Sequence, residues 1–218
     1  MSEIRALPPV SEDDYAQIQA YIKANRPTWQ RQLGTGFHEL IDLLGRAGFT
    51  PSTTAERSDV AAGHGALRAD EIVLAARLKA TDAIVAKMRR FGEPVRVMLD
   101  VWGYRAVVST AARLDEVAGR CAELWDTPEQ QDLLLRHGRL QFDWWRDYRL
   151  RNHAGLSAAT TATYDEAIHL NRKAPFGIVE IQVMSFDLYR RVHCDPSSDD
   201  SHDRFAARRD ELLRRRKQ

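Results

Sequence analysis

Three short segments of this 218-residue chain carry side chains whose types and spacing suit phosphate chemistry. The first runs Arg77-Leu-Lys79-Ala-Thr-Asp-Ala83-Ile-Val-Ala-Lys87. On a helix, at roughly 100° per residue, Lys79 and Lys87 fall within about 80° of each other. Cations so placed can clamp a polyphosphate, and an arginine plane can stack on a base. The second is Val97-Met98-Leu99-Asp100-Val101-Trp102-Gly103-Tyr104-Arg105, in which an acid closes an apolar strand and a cation follows a glycine. A carboxylate at a strand end suits a hard divalent cation beside phosphates. The third is Ile178-Val179-Glu180-Ile181-Gln182-Val183-Met184, where Glu180 and Gln182 share one face of a strand. Two polar groups on one face of an apolar strand need a partner or a site. Taken singly, the three also read as a solvated basic helix face, a hairpin aspartate and a half-exposed strand.

The elements that must hold these residues follow from patterning. Ser11 before Glu12, Asp13 and Asp14 reads as a helix start, and Tyr15, Ile18, Tyr21 and Ile22 share a face. Pro27 is expected to end or kink that helix, and a second is expected over about 36–46, stopped by Gly48. Residues 50–65 read as a loop, and 69–91 as one helix bearing the whole first segment. Residues 95–109 read as two strands broken near Gly103, and 111–125 as an amphipathic helix. Strands are expected over 140–149, 167–171 and 178–184, with a turn over 171–177 and a helix from Ser185 to His193. This order predicts an α+β fold with a mixed sheet. Three parts are expected: an N-terminal helical region over 1–66, a core over 67–194, and an acidic linker with a basic helix or tail over 195–218.

With 32 basic and 31 acidic side chains, the chain is not a strongly basic nucleic-acid binder as a whole. No apolar run reaches the roughly 20 residues needed to span a bilayer, and Met1–Pro9 has no apolar leader core. Cys121 and Cys194 are the only cysteines and lack metal-type spacing, so a reducing cytoplasm is the expected compartment.

Taken together and in this order, the three segments resemble the synthetase domain of the RelA/SpoT alarmone family. Its pattern is R-x-K-x-x-x-S-x-x-x-K, then D-x-x-G-x-R, then E-I-Q. Arg77, Lys79 and Lys87 match the first, with Ala83 in place of the serine. Asp100, Gly103 and Arg105 match the second, and Glu180, Ile181 and Gln182 the third. The resemblance spans roughly 67–193. It implies a nucleotidyltransferase-like mixed sheet of about five strands flanked by helices. It implies transfer of the β,γ-pyrophosphate of ATP to the 3′-hydroxyl of a nucleotide, with release of AMP. Arg77, Lys79, Lys87, Arg105 and Arg113 would bind ATP, with Arg77 and Arg113 flanking adenine. Asp100 would hold Mg2+, and Glu180 would hold Mg2+, activate the acceptor hydroxyl as general base, or do both.

The family's acceptor loop runs D-Y, then a basic stretch, then G-Y-x-S-L-H, its tyrosine stacking on guanine. Here Asp147-Tyr148 and Gly155 are kept, Leu156 stands for the tyrosine, and Ala159-Thr160 for Leu-His. Arg149, Arg151, His153 and Gln182 are the acceptor-binding candidates. A leucine offers no aromatic face, and stacking is worth about 1–3 kcal/mol per base. The acceptor expected is therefore altered: a guanine nucleotide used poorly, another nucleotide, or the 3′ end of tRNA as in toxin-like relatives. A catalytically silent nucleotide-binding module is the alternative. A homo-oligomer and a protein antitoxin or regulator stay open as partners.

Overall fold

A computed structural model describes residues 12–91, 101–123, 145–147, 166–174, 177–195 and 197. Its centre is a mixed six-stranded sheet: β1 (Thr50–Thr53), β2 (Glu71–Leu78), β3 (Trp102–Val108), β4 (Trp145–Asp147), β5 (Ala167–Ala174) and β6 (Gly177–Ser185), ordered β1-β2-β3-β6-β5-β4. The β1–β2 and β3–β6 pairs are parallel, and the remaining pairs antiparallel. The α+β class and the helix-flanked mixed sheet agree with the sequence reading. Among the described residues the sheet has six strands where about five were expected: residues 50–53, read as loop, add β1, residues 71–78, read as helix, add β2, and the two strands read over 95–109 are represented by β3 alone. The region over 1–66 is thus not purely helical, since it contributes to the sheet.

A long helix, α1 (Glu12–Arg46), lies across one face of the sheet. Pro27, expected to end or kink the helix, does not end it but sits inside it. The buried stripe Ile22, Trp29, Leu33, Leu40 and Leu44 runs through the proline without losing its helical spacing. Burying those side chains, at about 1.5–3 kcal/mol each, outweighs the roughly 3 kcal/mol cost of an internal proline. The helix stops as expected at Gly48. That residue adopts φ +88°, with Phe49 N–H donating to Leu44 O and Gly48 N–H to Gly45 O, the paired bonds of a Schellman cap.

Residues 69–91 depart most from the sequence reading. They form the strand β2, a turn at Lys79-Ala80, and the helix α3 (Thr81–Phe91). Glu71–Leu74 are buried because this strand is covered on both faces, which erases the two-residue alternation that marks a half-exposed strand. β3 is one continuous strand through Gly103, not two. Residues 95–100, read as the start of that pair, lie outside the described residues. A 3-10 turn (Ala111–Arg113) leads into α4 (Leu114–Glu123), which buries Leu114, Val117, Ala118 and Cys121 against the α1 face.

The opposite face is covered at one end by the short helices α2 (Ser58–Ala61) and α5 (Phe186–Tyr189), the latter running on into a π-helical turn (Arg190–Cys194). Val60, Phe186, Leu188, Tyr189 and Val192 bury Val73, Val107, Met184 and Ala167 there. Ser185 caps α5 by accepting from Leu188 N–H at 3.1 Å. Leu156, the expected acceptor loop and the tail over 198–218 lie outside the described residues.

The β5–β6 hairpin is locked by a ring. Trp102 is fully buried, meets Trp29 of α1 edge-on at 5.2 Å, and fills the space where Gly177 has no side chain. A methyl at position 177 would overlap the indole. Gly177→Ala is therefore expected to destabilise the fold by about 1–3 kcal/mol, read from the urea midpoint. An unchanged midpoint would mean that the indole can move aside.

Candidate functional site

Strand alternation sorts the expected residues onto one face. Ile72 and Leu74 of β2, Trp102 and Tyr104 of β3, Val179 and Ile181 of β6, and Ile168 and Leu170 of β5 point into the α1 core. Their neighbours point the other way, beyond the patch covered by α2 and α5. The register then fixes two polar rows. Arg77, Gly103, Glu180 and Asn171 stand side by side on β2, β3, β6 and β5. Ala75, Arg105, Gln182 and His169 form the next row. Residues from all three segments, up to a hundred and five positions apart in the chain, thus meet in one shallow depression. It is lined by Ala75, Arg77, Gly103, Tyr104, Arg105, Glu180 and Gln182.

Glu180 is the hub. Its carboxylate takes Nδ1 of His169 at 2.9 Å on Oε1, and Gln182 Nε2 donates to Oε2 at 2.9 Å. Gln182 Oε1 in turn accepts from Arg105 Nη2 at 3.4 Å, and the Arg105 guanidinium lies 5.6 Å over the Tyr189 ring. Gln182 is therefore an internal link between Glu180 and Arg105, whatever it later offers an acceptor. Gly103 has a steric reason to be glycine: a Cβ there would stand 2.8 Å from the Glu180 carbonyl oxygen, too close for the parallel β3–β6 pair.

Burial by itself pushes the Glu180 carboxyl up. The His169 charge and hydrogen bond, the Arg77 charge and the Gln182 hydrogen bond outweigh it and bring it down to about 2. A carboxyl held below its ordinary value of 4.5 adds stability that is complete above 4.5 and lost as the pH falls through 2. Between pH 4.5 and 2 the protein is expected to lose on the order of 3 kcal/mol from this group. Glu180→Gln should flatten that part of the urea-midpoint profile. Identical acid slopes in the two proteins would contradict the assignment.

The remaining expected residues fall as follows. Arg77 is on β2, Lys79 in the turn, and Lys87 half-buried on α3, so the three do not share one helix face. Lys79 N–H donates to Val101 O at 3.0 Å, fastening the turn to the residue after Asp100. Asp100 itself, and Arg149, Arg151 and His153, lie outside the described residues. Arg113 does not join Arg77. It follows the far end of β3, stacks over Phe49 at 5.3 Å and pairs with Glu116 at 2.7 Å. A spacing of eight residues from Arg105 cannot reveal this, because the strand carries the chain away from the polar rows.

His169 was missed by sequence reasoning. Only 4% exposed, it contacts the candidate carboxylate at 2.9 Å, as close as Gln182 does. The signal was present: Ala167-Ile168-His169, on the strand that leads into β6, ends in an apolar residue and a histidine like S-L-H. Ala159-Thr160 does not.

Among the described residues no group of three or more His, Cys, Asp or Glu side chains is placed to hold a metal, and no helix is long and apolar enough to cross a membrane. Compared with protein-family models and with curated proteins, the chain matches none.

Proposed function

We infer that this protein is an ATP-dependent nucleotide pyrophosphokinase of RelA/SpoT type, with a nucleotidyltransferase-like sheet and altered acceptor recognition. One observation carries the reading: the strand register sets Arg77, Gly103 and Glu180 in one row, with Arg105 and Gln182 beside them. Three segments that match the family pattern thereby become one surface. Arg77 and Arg105 are diagonal neighbours on adjacent strands, roughly 7–8 Å apart at their Cα atoms. Two guanidinium planes at that spacing can take a purine between them and leave the triphosphate running toward Glu180.

In the reaction, the acceptor 3′-oxygen bonds to the β-phosphorus, the bond from the β-phosphorus to the α–β bridging oxygen breaks, and AMP leaves. A carboxyl held near 2 is a weak base. Its part is to stay ionised, accept the hydrogen bond of the incoming hydroxyl and take its proton late. That suffices for phosphoryl transfer, where alignment and charge neutralisation supply most of the rate. Glu180 also suits Mg2+: among the described residues His169 meets one carboxylate oxygen and Gln182 the other, and a carboxylate oxygen has further lone pairs to offer a hard cation. With Asp100 from the second segment it would hold the ion, which when bound neutralises the phosphates.

The acceptor has two readings. Leu156 in the tyrosine's place favours a poor guanine site, and the basic Arg149, Arg151 and His153 favour an anionic acceptor, a nucleotide or tRNA. A ring from elsewhere in the chain would restore guanine stacking, and Tyr148 and Tyr164 are the tyrosines near this stretch in sequence. Turnover with GDP and GTP against ADP, ATP and tRNA separates them. Brisk guanosine pyrophosphorylation would show that another residue supplies the stacking and set aside the argument from Leu156.

A further inference from the structure

The helix α1 reaches both ATP-side segments from the far face of the sheet. Gln19, Arg26 and Leu33 recur every seven residues, so they lie on one stripe that drifts only about 20° per interval. Each makes a bond to a different part of the site's framework. Gln19 Nε2 donates to Asp82 Oδ1, in the first turn of α3, at 3.2 Å. Arg26 Nη1 donates to Lys79 O at 2.9 Å, and its Nη2 to Leu78 O at 3.4 Å. Leu33 O accepts a buried bond of 2.8 Å from the Tyr104 hydroxyl, between Gly103 and Arg105 on β3. Gly36 leaves room for that hydroxyl, since a Cβ there would collide with it.

We propose that Arg26 is a positioning residue for ATP, and that α1 acts through Arg26 and Tyr104 as a single brace that sets Arg77 and Lys79 against Arg105. The turn at Lys79-Ala80 is the joint between a strand and a helix that both carry expected phosphate contacts. Its backbone is held on one side by Val101 O and on the other by the Arg26 guanidinium. A charged, two-pronged donor holds carbonyls more firmly than a neutral one and fixes the direction in which the turn presents its side chains. Arg26 itself lies on the α1 face, opposite the face that bears Arg77 and Glu180, so it acts through the turn and not on the nucleotide. The proposal rests on the pyrophosphokinase reading for its ligand, but the brace can be measured without ligand.

Hydrogen exchange on the full chain tests the brace. In Arg26→Gln, the amides of Lys79 and Ile84 are expected to exchange at least tenfold faster, while those of β6 keep their wild-type rates. Calorimetric titration with Mg–ATP then tests its purpose. Arg26→Gln should weaken ATP about tenfold, raise KM for ATP alike and leave kcat and the acceptor KM within about twofold. Arg26→Lys should recover part of the loss, and Tyr104→Phe should give a milder form of it. Unchanged exchange at 79–84, faster exchange across the whole sheet, or faster local exchange with unaltered ATP affinity would each overturn the proposal. Wild-type protein that binds no ATP would overturn the ATP role together with the functional reading, and the exchange result would still report on the brace. Binding that Arg77→Ala weakens but Arg26→Gln does not would overturn the proposal alone.

Discussion

Replacing Glu180 by glutamine is expected to lower the turnover number for pyrophosphate transfer by roughly 10²–10⁴-fold, the range for loss of a positioned acid–base group. The substitution keeps shape and removes charge. Glutamine's amide oxygen can still accept from Gln182, but its NH2 group would be turned on His169, whose contact with the carboxylate is 2.9 Å. The charge that draws in the acceptor hydroxyl and the cation is gone, while Arg77 and Arg105 remain to hold the nucleotide. ATP affinity measured without the cation should therefore stay within a few-fold, and the loss should fall on turnover. The comparison is made by following AMP release at saturating ATP in wild type and variant. Near wild-type turnover would remove Glu180 from the chemistry, and with it the reading of the third segment.

The second large effect is on binding. Arg77→Ala is expected to weaken ATP at least tenfold, because a charge-assisted contact to phosphate or base contributes about 1.5–3 kcal/mol. Arg113→Ala is expected to change affinity less than twofold, since its guanidinium is spent on Phe49 and Glu116. This pair of titrations sets the spacing argument against the three-dimensional one. A large loss in Arg113→Ala with none in Arg77→Ala would reverse the assignment. Arg77→Ala should also raise the Glu180 carboxyl toward its ordinary range, because the Arg77 charge helps to hold it down.

What could be read in the sequence was chemistry more than shape. Glu180 and Gln182 announced a shared face because a strand alternates with period two, and the structure keeps them there. Gly48 announced a helix end, which its left-handed backbone bears out. Arg77, Lys79 and Lys87 were correct in kind but wrongly housed. A buried strand followed by an amphipathic helix shows apolar residues at 72, 75, 78, 84, 85 and 88, much as a single long helix would. Pro27 misled for the opposite reason, since a local preference gave way to a packed stripe that needs tertiary contacts to be seen. His169 could not be weighted from spacing alone. Only antiparallel pairing of β5 with β6 brings it to Glu180. The bracing by Arg26 and Tyr104 was illegible in principle, because a side chain bonded to a distant carbonyl leaves no pattern in composition or period.

Pyrophosphate transfer on the face that carries Arg77, Arg105 and Glu180 can be followed directly. The direct test incubates the pure full-length chain with Mg2+ and ATP labelled at the β-phosphate, together with GDP, GTP, ADP or tRNA. It then resolves the nucleotides released and the position of the label. AMP is expected in step with a labelled acceptor bearing a 3′-pyrophosphate, both lost in Glu180→Gln. ATP that binds and stays intact with every acceptor, or that yields ADP and phosphate instead of AMP, would contradict pyrophosphate transfer.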